Sequence, residues 1–446
     1  MFGMVFTSLA LAMALAYSYR YFDFPEVTAE LLRALTLQFM PRLLRVALVM
    51  TIGLGTLYLG FWKLTRAVLD PLMARSAPGE VLSQIVADHR FGSPGPEFNV
   101  VAIGGGTGLA TLLRGLKLHD IGITAIVTVA DDGGSTGRIR NEFNMPAPGD
   151  IRNCIVALAD AESTVSRLFQ YRFDRLGSQL EGHSFGNLFI TALAQITGSF
   201  EQAVIESGRV LAIRGRVLPS TLENVTLCAE LVNGRIIRGE STLSRKDSPI
   251  KRVFLEPHTP GAYEPALAAI LKADLIIMGP GSLYTSVLPN LLVDGITKAI
   301  EWSPGIKVYV CNVATQPGET DHFAAADHID TVRAALGERV LDYAVVNSNT
   351  EPASAILPEW HVDPVTASGL SPNDGLVRVT SRDVVDDTNP LRHDPRKLAS
   401  VLLEIARTRL LVADDSTDAG LVKYRMPYPL SQTVEDRSAA QFAKKE

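Results

Sequence analysis

The hydrophobic and polar positions divide the chain into unlike stretches. Two uncharged apolar runs come first, residues 2–19 and 46–62, the second closed by Lys63 and Arg66. Each is long enough to cross a hydrocarbon layer of about 30 Å, so residues 1–66 are expected to form a membrane hairpin. A signal peptide is the rival for the first run, but no basic residue precedes it and no clear small-x-small cleavage site follows. Between the runs, residues 26–44 mix charged and apolar positions at roughly helical spacing, as an interfacial helix or a simple loop helix does. Arg20, Arg33, Arg42 and Arg45 in the connection compete with Lys63, Arg66 and Arg75, so charge does not settle orientation. Residues 67–98 turn to Pro, Gly, Ser and mixed charge and read as a linker with one short helix around 80–89.

From residue 99 the pattern alternates short β-branched runs with helical periodicity. Strands are expected at 99–103, 123–130, 210–218, 226–232, 235–240, 273–278, 307–311 and 340–347, with an Asn233-Gly234 hairpin turn inside a small β-rich insertion. Helices are expected at 109–118, from Asp150 as an N-cap, at 188–196 and at 392–411. Such alternation predicts an α/β domain over residues 99–411, with a doubly wound, mainly parallel sheet, and a polar tail over 412–446.

The polar residues collect where strands end. Gly104, Gly105, Gly106, Thr107 and Gly108 lie between the first strand and the first helix. Glycine lets the backbone approach an anion there, and free N–H groups and the helix dipole point at the charge. The spacing departs from the dinucleotide G-x-G-x-x-G, and no single acidic residue stands cleanly about 20 positions on, which argues against a nicotinamide dehydrogenase.

The second strand ends in Asp131 and Asp132, a pair suited to a ribose or to Mg²⁺, or, for Asp131, to capping its own turn. The glycine-rich remainder with Gly134 and Ser135 is suited to a second anionic group, and Arg138 and Arg140 to pairing its charge. Ser184 and Asn187 open a later helix and are candidate ligand contacts; His183 beside them is either an acid-base group or structural. Gly281, Ser282 and Tyr284 follow the 273–278 strand, and a Thr315 to Asp321 loop follows the next. Polar loops thus follow four strands, and in a doubly wound sheet they converge on one crevice.

Composition narrows the partners. A net charge of -6 and no visible basic cluster exclude nucleic acid as the main partner. Three widely spaced cysteines match no zinc pattern and cannot complete a disulfide set, which suits a reducing compartment and places the α/β domain in the cytoplasm beside the membrane. Monomer and homo-oligomer both stay open.

Taken together, these motifs in this order resemble the gluconeogenesis factor family of bacteria, the YvcK type, related to 2-phospho-L-lactate transferase (CofD). The residues that carry the resemblance are the 104–109 turn, the 131–137 loop, Pro148 to Arg152, Gly182 to Asn187, Gly279 to Ser286 and the 315–321 loop. The resemblance spans about residues 99–411 and leaves the apolar N-terminal runs outside it. It implies a Rossmann-like sheet, binding of a UDP-sugar such as UDP-N-acetylglucosamine, and a part in cell shape and wall synthesis during growth on gluconeogenic carbon. It further implies that the 104–108 turn and Asp131 meet the nucleotide and that Tyr284 meets the uridine or sugar end. A regulatory, non-catalytic role is favoured, no cofactor is required beyond that ligand, and an Mg²⁺-dependent phospholactyl transferase is the alternative.

Overall fold

The computed structural model describes scattered residues between 40 and 63, and residues 96–415 apart from 161–163, 244–247, 353–355 and 371–376. The chain divides into two compact units, Met1–Pro94 and Gly95–Glu446.

In the second unit the chain runs β1 (Asn99–Gly104), α1 (Gly106–Leu116), β2 (Gly122–Val127), α2 (Gly134–Phe143), α3 (Gly149–Leu158), α4 (Thr164–Gln170), α5 (Phe185–Thr197), α6 (Phe200–Val210) and β3 (Arg216–Pro219). It continues through β4 (Thr226–Leu231), β5 (Ile236–Arg238), the one-turn helix α7 (Glu240–Leu243), β6 (Ile250–Glu256), β7 (Leu275–Met278), β8 (Ile306–Val310) and β9 (Tyr343–Asn347). It ends with β10 (Arg378–Arg382), β11 (Val385–Asp386), β12 (Asn389–His393) and α8 (Pro395–Asp415).

Seven strands form one sheet in the order β10-β9-β8-β7-β1-β2-β3, and every pairing in it is parallel. The first three strands step outward on one side of β1, and the chain then crosses over to build outward from β7 on the other. That reversal opens a crevice at the carboxyl ends of β1 and β7. The register aligns Ile103 with Met278, and the Gly279 N–H donates to the Ile103 carbonyl at 2.8 Å, so two glycine-rich turns leave the sheet at one level. All four residues of β7 are buried, as are all of β1 after Asn99, the continuous apolar reading of strands covered on both faces. Helix α1 packs against α3 and α8.

The β-rich insertion is a three-stranded antiparallel sheet in the order β5-β4-β6. Strand β6 escapes the hydrophobic pattern because Lys251 and Arg252 interrupt it; both pair with Glu230, at 2.7 and 2.6 Å. β11 and β12 form a separate two-stranded ribbon.

Several expectations are corrected. Residues 210–218 are not one strand: α6, capped by Ser199 accepting from the Gln202 N–H at 3.3 Å, runs to Val210, and β3 begins only at Arg216. A short apolar run does not distinguish a helix end from a strand. Asp150 is not the N-cap of α3; Pro148 is, and Asp150 sits in the first turn. The last helix begins at Pro395, which leaves Arg392 and His393 on β12.

Among the described residues no helix is long and apolar enough to cross a membrane. The apolar run 2–19 and the short helix expected at 80–89 lie outside the described residues, and the run 46–62 lies only partly inside them. The membrane hairpin therefore has no support from the described structure.

Candidate functional site

The crevice is a cleft of about 460 Å³, within the range that holds a small ligand. Its floor is the turn between β1 and α1. Gly106 has φ +62, a left-handed conformation that glycine adopts freely, and begins an eleven-residue helix with no side-chain cap. The first-turn N–H groups of such a helix need acceptors from elsewhere. Gly105, Gly106, Thr107 and Gly108 all line the cleft, as do Gly281 and Ser282 from the turn after β7.

The two turns touch. A Cβ at Gly108 would stand 2.6 Å from the Pro280 carbonyl oxygen and 2.8 Å from the Gly281 Cα, so glycine is what allows the approach. Beneath them the fully buried Asn290 donates to the carbonyls of Gly104 at 3.0 Å and Ser286 at 2.8 Å. Gly104 thereby supports the floor and does not line the cleft.

The loop after β8 supplies another wall, from Asn312 to Gln316 with Glu319. Asn312 accepts from the Gly281 N–H at 3.2 Å and donates to Gln316 at 3.2 Å, while the Ser282 hydroxyl donates to Glu319. Arg392 and His393 reach the same cleft from β12. Arg392 is exposed and has no ion pair among the described residues. His393 is buried with Nε2 3.1 Å from the Cys311 carbonyl, and burial pushes its pKa down to about 4.

Asp131, Asp132, Gly134, Ser135 and Asn187 do not line this cleft. Ser135, Thr136, Arg152, His183, Ser184 and Asn187 form a buried polar network beside it. Asn187 donates to Ser135 at 3.2 Å and to Thr136 at 3.3 Å, and its oxygen accepts from Arg152 at 3.1 Å; Arg152 also donates to Ser184. His183 Nδ1 lies 3.1 Å from the Ser135 hydroxyl, and burial lowers its pKa. Gly134, at φ +46, starts α2.

The adjacent carboxylates diverge. Asp131 accepts from the Gly133 N–H at 2.8 Å and from Thr136, whereas Asp132 accepts from the Ser241 N–H of α7 at 2.8 Å. Among the described residues no group of three or more His, Cys, Asp or Glu is arranged to hold a metal ion.

Asp150 joins the network to the cleft. Its carboxyl accepts from the Gly106 N–H, and a Cβ at Gly105 would lie 2.5 Å from its Oδ2. Burial, then the neighbouring Asp131, push its pKa up to about 7. Glu240, on α7, lines the cleft and bonds Thr285; burial and then Asp131, Asp150 and Glu319 push it up to about 9.

Tyr284 turns away from the cleft. It is 7% exposed, its hydroxyl bonds Thr331, and its ring meets Phe323 edge-on at 6.4 Å. Residue reading placed Asn312 at a strand end and Glu319 in the crevice loop, and missed Asn290, Glu240, Asp150 as a cleft partner, and Arg392. A second recess of about 560 Å³, near Glu201, Thr221 and Tyr263, has a single glycine, Gly261, in its lining.

Sheet order and crevice define a Rossmann-like α/β protein. The profile of the family described as 2-phospho-L-lactate transferase CofD matches residues 100–372, and the chain belongs to that family. It is 46% identical over 322 residues to the gluconeogenesis factor of Bacillus subtilis, covering 70% of this chain and 99% of that protein. It is 44% identical over 309 residues to the gluconeogenesis factor of Halalkalibacterium halodurans, covering 69% of this chain and 96% of that one. The crystal structure of a UPF0052 family member from Bacillus halodurans superposes with a TM-score of 0.65 at 43% identity, covering 70% of this chain and 100% of that one.

Proposed function

We propose that this protein binds a nucleotide sugar, UDP-N-acetylglucosamine or a close relative, in the cleft between the two glycine turns, and acts as a regulatory protein of the gluconeogenesis factor type. The observation that carries this reading is the direct packing of the 104–108 turn on Pro280 and Gly281 at the reversal point of the sheet. The start of α1, where Asp150 takes the Gly106 N–H, then borders a space of diphosphate size, where an anion gains from the helix dipole about 0.3–1 kcal/mol. Arg392 supplies the countercharge from the ribbon. The likeness to the gluconeogenesis factors of Bacillus subtilis and Halalkalibacterium halodurans supports a role in carbon use; cell shape and wall synthesis are its proposed outlet. Calorimetric titration with UDP-N-acetylglucosamine tests it: saturable heat is expected, and none at millimolar ligand contradicts it.

A transferase reading is favoured by the family profile and by two carboxyl groups that hold protons near or above neutrality, Glu240 lining the cleft and Asp150 buried beneath its glycine turn. It predicts turnover of a deazaflavin precursor with a nucleotide-linked phospholactate and Mg²⁺. Intact ligand binding without product contradicts that version.

A membrane tether over residues 1–66 is a separate proposal. It rests on the apolar sequence of residues 2–19 and 46–62 alone. Recovery of the full chain in a detergent-free high-speed supernatant would end it.

A further inference from the structure

We infer that Glu240 is a hydrogen-bond donor to a phosphate oxygen of the bound ligand, carried to the cleft by the β-rich insertion and held there by Asp132. The inference rests on the cleft being a phosphate site and names a residue for it outside the two glycine turns.

Position comes first. Glu240 opens α7, directly after β5, and lines the cleft together with residues 105–108 and the turn that begins at Pro280. Its carboxyl bonds the Thr285 side chain, so it is oriented over the cleft and not into solvent.

The placement is built. Asp132 accepts from the Ser241 N–H, one residue beyond Glu240, at 2.8 Å. Gly239, one residue before it, has φ +92, and a Cβ there would overlap Asp132 Oδ2. A side chain at residue 239 would therefore be strained twice over, by backbone conformation and by collision. The acid of the loop after β2 thus anchors the insertion and does not meet the ligand itself.

Charge decides what Glu240 can do there. The groups facing it are Asp131 from the end of β2, Asp150 from α3 and Glu319 from the loop after β8; Arg392 and the neutral His393 line the same cleft. With burial and three carboxyl neighbours its pKa rises to about 9, so at neutral pH it carries a proton. A neutral carboxylic acid offers one O–H donor where a carboxylate would repel a phosphate. No bond is made or broken in this role. A bound anion stabilises the protonated form further, so binding holds through neutrality and weakens as pH rises above about 9.

Titration calorimetry of UDP-N-acetylglucosamine and of inorganic diphosphate into wild type, Glu240→Gln and Glu240→Ala, at neutral pH and near pH 10, tests this, with circular dichroism to check folding. Wild type is expected to bind at neutral pH and lose affinity near pH 10. Glu240→Gln keeps a neutral donor and is expected to lose the alkaline weakening, while Glu240→Ala is expected to bind about tenfold more weakly at neutral pH. A Glu240→Gln profile like that of wild type, or a folded Glu240→Ala that binds as tightly as wild type, overturns the donor role alone. No heat from wild type with either ligand removes the phosphate site and the donor role with it; should Glu240→Ala not fold, the Gln arm decides.

Discussion

The residues that shape this cleft do so mostly by what they lack or by what they hold. Gly108 lacks a Cβ, and one would press 2.6 Å from the Pro280 carbonyl. Gly108→Ala is expected to force the two turns apart, costing about 1–3 kcal/mol of stability and abolishing ligand heat, measured by urea unfolding and calorimetry. Arg392, a cation lining the cleft with no ion partner among the described residues, is expected to act on binding alone. Arg392→Ala should weaken nucleotide-sugar binding about 10- to 100-fold, the worth of a charge-assisted hydrogen bond, with the unfolding midpoint unchanged. The glycines were legible in the sequence because an anion-binding turn needs a particular residue type at consecutive positions. Arg392 was not, because it reaches the cleft from a ribbon far along the chain, and its run reads as the start of the following helix. Tyr284 shows the converse: its place in the polar loop is right, but the turn that opens at Ser282 directs it onto Phe323 and Thr331.

At the scale of elements, the central strands of the parallel sheet were the most legible because they are mostly apolar, β7 being Leu-Ile-Ile-Met and wholly buried. The insertion's outer strand, the β11–β12 ribbon and β10 were not, since exposed edges carry charge, as the consecutive Lys251 and Arg252 do on β6 and Arg378 and Arg382 do on β10. The loop after β2, α3 and α7 meet through acids, and that meeting has a pH signature. Asp150 rises from 3.8 to about 7 and Glu240 from 4.5 to about 9 on folding, so the folded state holds protons that the unfolded chain has released. Their contribution to stability is complete below the unfolded values and is lost as pH rises through the folded ones. The unliganded protein is therefore expected to lose stability between about pH 4 and 9. Asp150→Asn should flatten the lower part of that decline, up to about 7, and Glu240→Gln the upper part, read as urea midpoints against pH.

For the whole molecule, a parallel sheet follows from alternation of strand and helix, yet its strand order does not; only the structure places β7 beside β1 and so turns two separate glycine motifs into one site. The carboxylate pair illustrates the limit of a linear reading. Asp131 and Asp132 stand side by side in sequence, but one stays with its own turn and the other ties down the insertion. Family membership fixes the scaffold and leaves binding and catalysis to experiment. The full chain is expected in the membrane fraction if residues 1–66 tether it, and in the detergent-free supernatant if they do not. The central claim is occupancy of the cleft, and titration of the folded protein with UDP-N-acetylglucosamine at neutral pH meets it directly. Saturable binding to a single class of site, lost in Gly108→Ala, is the predicted result; no heat at millimolar ligand from protein shown to be folded would contradict it.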